Sequence, residues 1–223
     1  MLSVRNSFIL ACLLDKAKSN GAKKGANLTI FRKLVVASNN LHKIAEIRAV
    51  LGGAWDVISA QDLHKGIKWD ETGATFIDNA RIKVKALRAY TDQLILADDS
   101  GLCVDALSGR PGVHSSSYAG VEGDHHANNI KLLRDLSGVP KGSRTAQFLC
   151  LLLLDQNGIE SVFEGRCEGE IAEEVAGSGG FGYDPLFVEH STGKLMAKMS
   201  LAEKNIVSHR GKALLKLKAK LNV

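Results

Sequence analysis

The sequence predicts a mixed α/β fold, and two observations carry that prediction. Apolar runs of strand length alternate along the chain with stretches of helical periodicity, the pattern of helices packed on a sheet. One strong hairpin signal, Asn157-Gly158, separates two long strand-like runs, so the sheet cannot be purely parallel. A length of 223 residues, 45% of them hydrophobic, is enough to bury a sizeable core.

Lys33 to Ser38 reads as a short buried strand. Asn39-Asn40 then opens a helix with Ile44, Ile47, Val50 and Leu51 at helical spacing, and Gly52-Gly53 stops it. Trp55 to Ser59 reads as a second strand. Thr75-x-x-Asp78 is a capping box that starts a long helix to Tyr90. Leu94–Ala97 and Leu102–Ala106 read as strands around an acidic turn, Asp98-Asp99-Ser100-Gly101, because Asp and Gly suit turns. Gly109 to Gly123, with Pro111 and several Gly and Ser, is loop. His125 to Leu136 is a helix, and His125-His126 after Asp124 are its start rather than metal ligands. Thr145 to Leu154 is too apolar and short for a free helix and fits a central strand, with Ile159 to Glu170 as its hairpin partner. Gly177 to Pro185 is a glycine-rich loop. Ser200 to the end is helical, with Leu214, Leu215, Leu217 and Leu221 on its apolar face.

The charge is unevenly placed. Residues 1–33 hold seven basic residues against one acid, Asp15, a net of +6, so the rest of the chain is about −1 of the total +5. The basic pI therefore belongs to a leader, and the body lacks the clustered Lys and Arg of a nucleic-acid-binding protein. Residues 1–32 are set apart as that leader and 33–223 as one domain. The apolar run Phe8 to Leu14 is followed at once by Asp15-Lys16 without a small-residue cleavage site, which argues against a secretion signal. No apolar run reaches the roughly eighteen residues of a membrane span. Cys12, Cys103, Cys150 and Cys167 have no metal-ligand spacing and read as reduced thiols. These features predict a cytoplasmic protein; the acid-poor leader also resembles an organelle transit peptide in composition.

Four stretches carry chemistry. Asp98 and Asp99 follow an apolar run, and like charges placed so close at the rim of a core suit a hard metal ion or a proton transfer. Ser38-Asn39-Asn40-Leu41-His42-Lys43 passes from a strand into a helix start, where free N–H groups, the dipole and Lys43 favour an anion. Its bland alternative is capping by Asn40 with Lys43 in solvent. Glu71 precedes a helix on which Asn79 and Lys83 share a face. In Gly177-Ser-Gly-Gly-Phe181-Gly182-Tyr183-Asp184-Pro185 the glycines let backbone approach a ligand, and Phe181 can stack on a flat ring. Lys204, with Ser208-His209-Arg210, supplies donors for carbonyl or phosphate oxygens.

Read in order, these motifs resemble the inosine triphosphate pyrophosphatase-like family, the non-standard purine nucleoside triphosphate pyrophosphatases, from about Leu34 to Leu217. They are Ser38-x-Asn40-x-x-Lys43-x-x-Glu46, Glu71-Thr72-Gly73, Phe76-x-x-Asn79-Ala80-x-x-Lys83, Ala97-Asp98-Asp99-Ser100-Gly101-Leu102, Pro111-Gly112, Gly179 to Pro185 and Ser208-His209-Arg210. The resemblance implies an elongated mixed sheet flanked by helices, in two lobes with the active-site cleft between them, and a homodimer. It implies Mg²⁺-dependent hydrolysis of ITP, dITP and XTP to the monophosphate and pyrophosphate. It places phosphate binding on Ser38 to Lys43, the catalytic acid and a metal ligand on Asp99, and further acidic metal positions on Asp98 and Glu71. Substrate contacts fall on Ser100, Phe181, Gly182, Tyr183, Asp184, Lys204, His209 and Arg210. Two departures stand out: Ser38-Asn39 where many members have Thr and Gly, and Ser117 where many have Arg.

Asp99 then takes a proton from the attacking water, and Lys43 and Lys83 hold the departing pyrophosphate. Donors from Lys204, His209 or Arg210 meet the six-position carbonyl of hypoxanthine or xanthine and are left unpaired by adenine, at about 1–3 kcal/mol per contact. Two other readings share these residues: a pyrophosphatase for other damaged nucleotides, and a non-catalytic nucleotide sensor.

Overall fold

A computed structural model describes residues 32–222, so the leader, apart from Arg32, lies outside the described residues. The elements are β1 (Arg32–Ala37), α1 (Leu41–Leu51), β2 (Trp55–Ser59), α2 (Ala60–Leu63), α3 (Phe76–Arg88), β3 (Leu94–Val104), α4 (His125–Asp135), β4 (Thr145–Gln156), β5 (Ile159–Ile171), β6 (Phe187–Glu189), α5 (Leu201–Val207) and α6 (His209–Leu221). One six-stranded sheet runs β2-β1-β3-β4-β5-β6. β1 is parallel to β2 and β3, and the remaining pairs are antiparallel, with β4 and β5 joined through Asn157-Gly158. The mixed sheet is therefore as the interleaving and the hairpin signal predict.

Strand alternation divides the core by face. Leu34, Val36, Leu96 and Leu152 pack against Ile44 and Ile47 of α1 and Leu214 and Leu217 of α6. Val35, Ala37, Ile95 and Leu153 pack on the opposite side against Ala80, Val84 and Leu87 of α3. Beyond the middle of β3 a further cluster forms from Leu102, Val104, Phe148, Leu132, Leu136 and Phe187. The long strands β3, β4 and β5 thus run through two packed regions.

Three local expectations are corrected. The stretch Asp98 to Gly101 is no turn: β3 runs unbroken through it, with Asp98 opposite Leu152 and Asp99 opposite Leu151. Turn preference is a local bias, and continuous pairing with the apolar β4 overrides it. Gly101 is needed instead for close approach, since a Cβ there would lie 2.6 Å from Ser115 Oγ and clash with the Gly112 carbonyl. The C-terminal stretch is two helices, because Ser208 is extended and caps α6 by accepting from the Gly211 N–H at 3.0 Å. The loop Gly109 to Gly123 contains a 3₁₀ segment, Gly112–Ser117. α2 and β6 are short elements absent from the sequence reading, although Ser59-x-x-Asp62 forms a capping box at the start of α2. At α3, Thr75 accepts from the Asp78 N–H as a cap, while its hydroxyl donates to the Asp78 carboxylate.

Candidate active site

The two acids of β3 are neighbours in the chain and go to different partners. Asp98 lies on the α1–α6 face. Its carboxylate accepts from Arg210 Nε at 2.6 Å, Lys43 Nζ at 2.7 Å and Ser100 Oγ at 2.7 Å. Burial raises its pKa, but the Arg210 and Lys43 charges outweigh that and hold it well below the usual carboxylate range. Asp98 does not line the cavity described below. Its oxygens are engaged by Arg210, Lys43 and Ser100.

Asp99 lies on the α3 face, where its carboxylate accepts from Lys83 Nζ at 2.7 Å and Asn79 Nδ2 at 3.4 Å. The same ammonium pairs with Glu71 at 3.0 Å and donates to the Asp98 carbonyl at 3.1 Å. Burial, above all, pushes the Asp99 carboxyl up to about 6, against the pull of Lys83 and Lys43. At Glu71 burial also raises the pKa, but Lys83 outweighs it and the group stays ionised lower than usual. Asp98 is thus held ionised, while Asp99 titrates higher than an ordinary carboxylate, a difference of the kind that separates acid and base roles.

A second chain of charges supports the opposite wall. Asp184 pairs with Lys204 at 2.6 Å, Lys204 with Glu46 at 3.1 Å, and Glu46 with Arg210 at 2.6 Å. All four side chains are buried. Asp184 also accepts the Phe181 N–H at 2.8 Å, so the glycine-rich loop is folded back on itself and is not a loose linker. Gly180, at φ 74, permits that fold where a Cβ would strike the Asp184 carboxylate. The Phe181 ring stacks on His42 at 5.1 Å between centroids, with Lys204 Nζ 4.6 Å from its centre. Tyr183 donates from its hydroxyl to the Ser115 carbonyl at 2.8 Å and is core. His209 stacks on Phe148 at 4.7 Å. Burial, then the Arg210 charge, hold its imidazole well below its ordinary pKa, so it is neutral, and its Nδ1 has no partner among the described residues.

Many of these groups line one cavity of about 700 Å³. Among the sequence-predicted residues, Ser38, Asn39, Asn40, Lys43, Glu71, Lys83, Asp99, Ser100, Phe181, Gly182, Tyr183, Asp184, Lys204, His209 and Arg210 line it. Leu41, His42 and Asp98 do not; Leu41 is 77% exposed. Asn40 caps α1 by accepting from the His42 and Lys43 N–H groups, so the helix start is partly satisfied by its own side chain. Lys43 nevertheless turns inward to Asp98 rather than to solvent. His125 begins α4 as expected and also lines the cavity, together with Ser117.

Glu46 and Asn79 stand within the sequence motifs but carry no individual role there, and Trp69 is not singled out at all. The ion-pairing role of Glu46 has a sequence signal: it is an acid on the buried stripe of α1 beside Ile44, Ile47 and Leu51. Trp69 lines the cavity and donates from Nε1 to Glu71 at 3.3 Å, and nothing in its local sequence signals that.

The donor set fits a small hard cation. No cluster of three or more His, Cys, Asp or Glu with metal-binding geometry occurs among the described residues. Glu71 and Asp99, however, converge on one ammonium beside an open cavity, and Mg²⁺ is held by one or two carboxylates plus substrate phosphates.

A six-stranded mixed sheet with helices on both faces, and a cleft pairing two carboxylates with a set of lysines and an arginine, define an α/β protein suited to bind and cleave a polyanion. The chain belongs to the Ham1 family, whose pattern matches residues 34–220. It is 46% identical over 187 residues to the dITP/XTP pyrophosphatase of Shouchella clausii, covering 83% of this chain and 94% of that one. It is 42% identical to the dITP/XTP pyrophosphatase of Bacillus subtilis, covering 85% and 97%. Among solved structures, the Ham1 protein of Staphylococcus aureus matches with a TM-score of 0.76 at 38% identity, covering 86% of this chain and 98% of that one.

Proposed function

We propose that this chain hydrolyses the non-standard purine nucleoside triphosphates ITP, dITP and XTP to the monophosphate and pyrophosphate, clearing them from the nucleotide pool. The observation that carries this reading is the meeting, in one cavity, of the Glu71–Asp99 pair with Lys43, Lys83 and Arg210. Relatives named dITP/XTP pyrophosphatase at 46% identity support the substrate class.

Glu71 and Asp99 would hold Mg²⁺, which when bound neutralises phosphate oxygens and makes water more acidic. Asp99 orients the attacking water and takes its proton; its raised pKa brings it nearer the working pH than an ordinary carboxylate. Lys43 and Lys83 stabilise charge on the departing pyrophosphate. Phe181 offers a ring to the purine once His42 yields its place. Lys204, His209 and Arg210 address the base carbonyl. We also assign the chain a homodimeric state, a cytoplasmic location and a single domain over residues 33–223, on the family resemblance and the composition. No helix among the described residues is long and apolar enough to cross a membrane.

Pyrophosphate release across ITP, dITP, XTP, dUTP, GTP and ATP, with Mg²⁺ and with excess chelator, tests the reading. Release is expected from the inosine and xanthosine triphosphates, in Mg²⁺ only. Nucleotide-induced thermal stabilisation without any release would instead establish a binding protein.

A further inference from the structure

Asn79 sits on α3 between the two carboxylates without carrying charge itself. It is 1% exposed. Its Oδ1 accepts the Gly73 N–H at 2.8 Å, and its Nδ2 donates to Asp99 Oδ2 at 3.4 Å. The orientation of the amide is forced, because a backbone N–H only donates and an ionised carboxylate only accepts. The Glu71-Thr72-Gly73 loop is pressed onto this side chain: a Cβ at Gly73 would lie 2.7 Å from Asn79 Oδ1 and 2.8 Å from Asn79 N. The glycine is therefore what allows the loop to reach the amide. One turn further along α3, Lys83 bridges the same two carboxylates.

We propose that Asn79 is a positioning residue that fixes the separation of Glu71 and Asp99. It does so by tying the loop that carries one to the side chain of the other, so that both carboxylates address a single divalent cation. This rests on the metal-dependent reading above. An ordinary helix-start asparagine would satisfy only its own turn. This one joins a loop ahead of the helix to a strand twenty residues later, and both tethered segments end in a cavity carboxylate. Outer partners of metal-binding carboxylates typically change metal affinity or activity by about 10–100-fold when removed.

The test titrates Mn²⁺ calorimetrically into the wild-type protein and into the Asn79→Ala and Asn79→Asp variants. It also measures the Mg²⁺ concentration for half-maximal activity and the melting temperature of each. Asn79→Asp keeps an acceptor for the Gly73 N–H while replacing the donor to Asp99 with a repelling oxygen, so it is expected to fold if Asn79→Ala does not. A roughly 10-fold or greater rise in the Mn²⁺ dissociation constant, with the half-saturating Mg²⁺ rising in parallel and kcat largely restored at high Mg²⁺, supports the positioning role. Wild-type Mn²⁺ affinity and Mg²⁺ requirement in the folded variants, even with a lowered melting temperature, would overturn it and leave the metal-dependent reading intact. If the wild-type protein binds no Mn²⁺ and releases no pyrophosphate, the reading itself fails and the proposal falls with it.

Discussion

Arg210 donates from Nε to Asp98 Oδ2 at 2.6 Å, while Asp99, the next residue, accepts from Lys83 on the other side of the sheet at 2.7 Å. Successive side chains of a strand face opposite ways, so the two acids cannot share one task. Asp98 organises cations from α1 and α6, and Asp99 is left in the cavity beside Glu71.

Asp99→Asn should lower kcat by about 10²–10⁴-fold, the usual worth of a positioned general base, while the protein still folds. Lys83 keeps Glu71 as a partner in that variant. Pyrophosphate release and a thermal melt check the two halves of this expectation, and near-normal turnover would remove Asp99 from its assigned role.

The raised Asp99 pKa has two pH signatures. A base works only when ionised, so kcat/KM at low Mg²⁺ should climb as pH rises through about 6 and level off above it. Stability runs the other way. The folded protein holds this proton more tightly than the unfolded chain, whose Asp titrates near 3.8. That contribution is complete below about 3.8 and is lost as pH rises through about 6. In metal-free buffer the urea midpoint of the wild type, relative to Asp99→Asn, should fall across this window. A constant difference between the two proteins would contradict the shift.

Asp98→Asn should destabilise the fold by roughly 3 kcal/mol, near the low end for breaking a buried ion pair, because Arg210 retains Glu46. It should also reduce kcat/KM, since Lys43 and Arg210 lose their common anchor. Denaturant unfolding measures the first effect. Wild-type stability would show that Asp98 does not hold these cations.

Phe181→Ala should raise KM for ITP by roughly tenfold with a smaller change in kcat, since base–aromatic stacking is worth about 1–3 kcal/mol. Steady-state kinetics decide it. An effect confined to kcat would show that the ring serves the chemical step and not the base.

Much of the architecture was legible along the chain. Alternating periodicities and the Asn157-Gly158 turn define the mixed sheet, and the apolar stripe of α1 and the run in β4 mark the core. Those signals are local: they lie within one helix or one strand pair. The acid-lysine motifs also located the cavity, since Lys43, Glu71, Lys83 and Asp99 all line it.

What the chain order could not convey is how neighbours divide. The Asp-Asp-Ser-Gly stretch favours a turn by itself, and only pairing with β4 makes it a strand and sends the acids to opposite faces. Asp98 then meets an arginine 112 residues later, and Lys204 meets Glu46 on a helix far earlier in the chain. Residue types and spacing marked the acids and cations, and the family resemblance placed them around one cleft. Long-range packing decided which acid meets the Lys83 ammonium in the cavity and which the Arg210 guanidinium, because burial and partner charge exist only once the chain has folded.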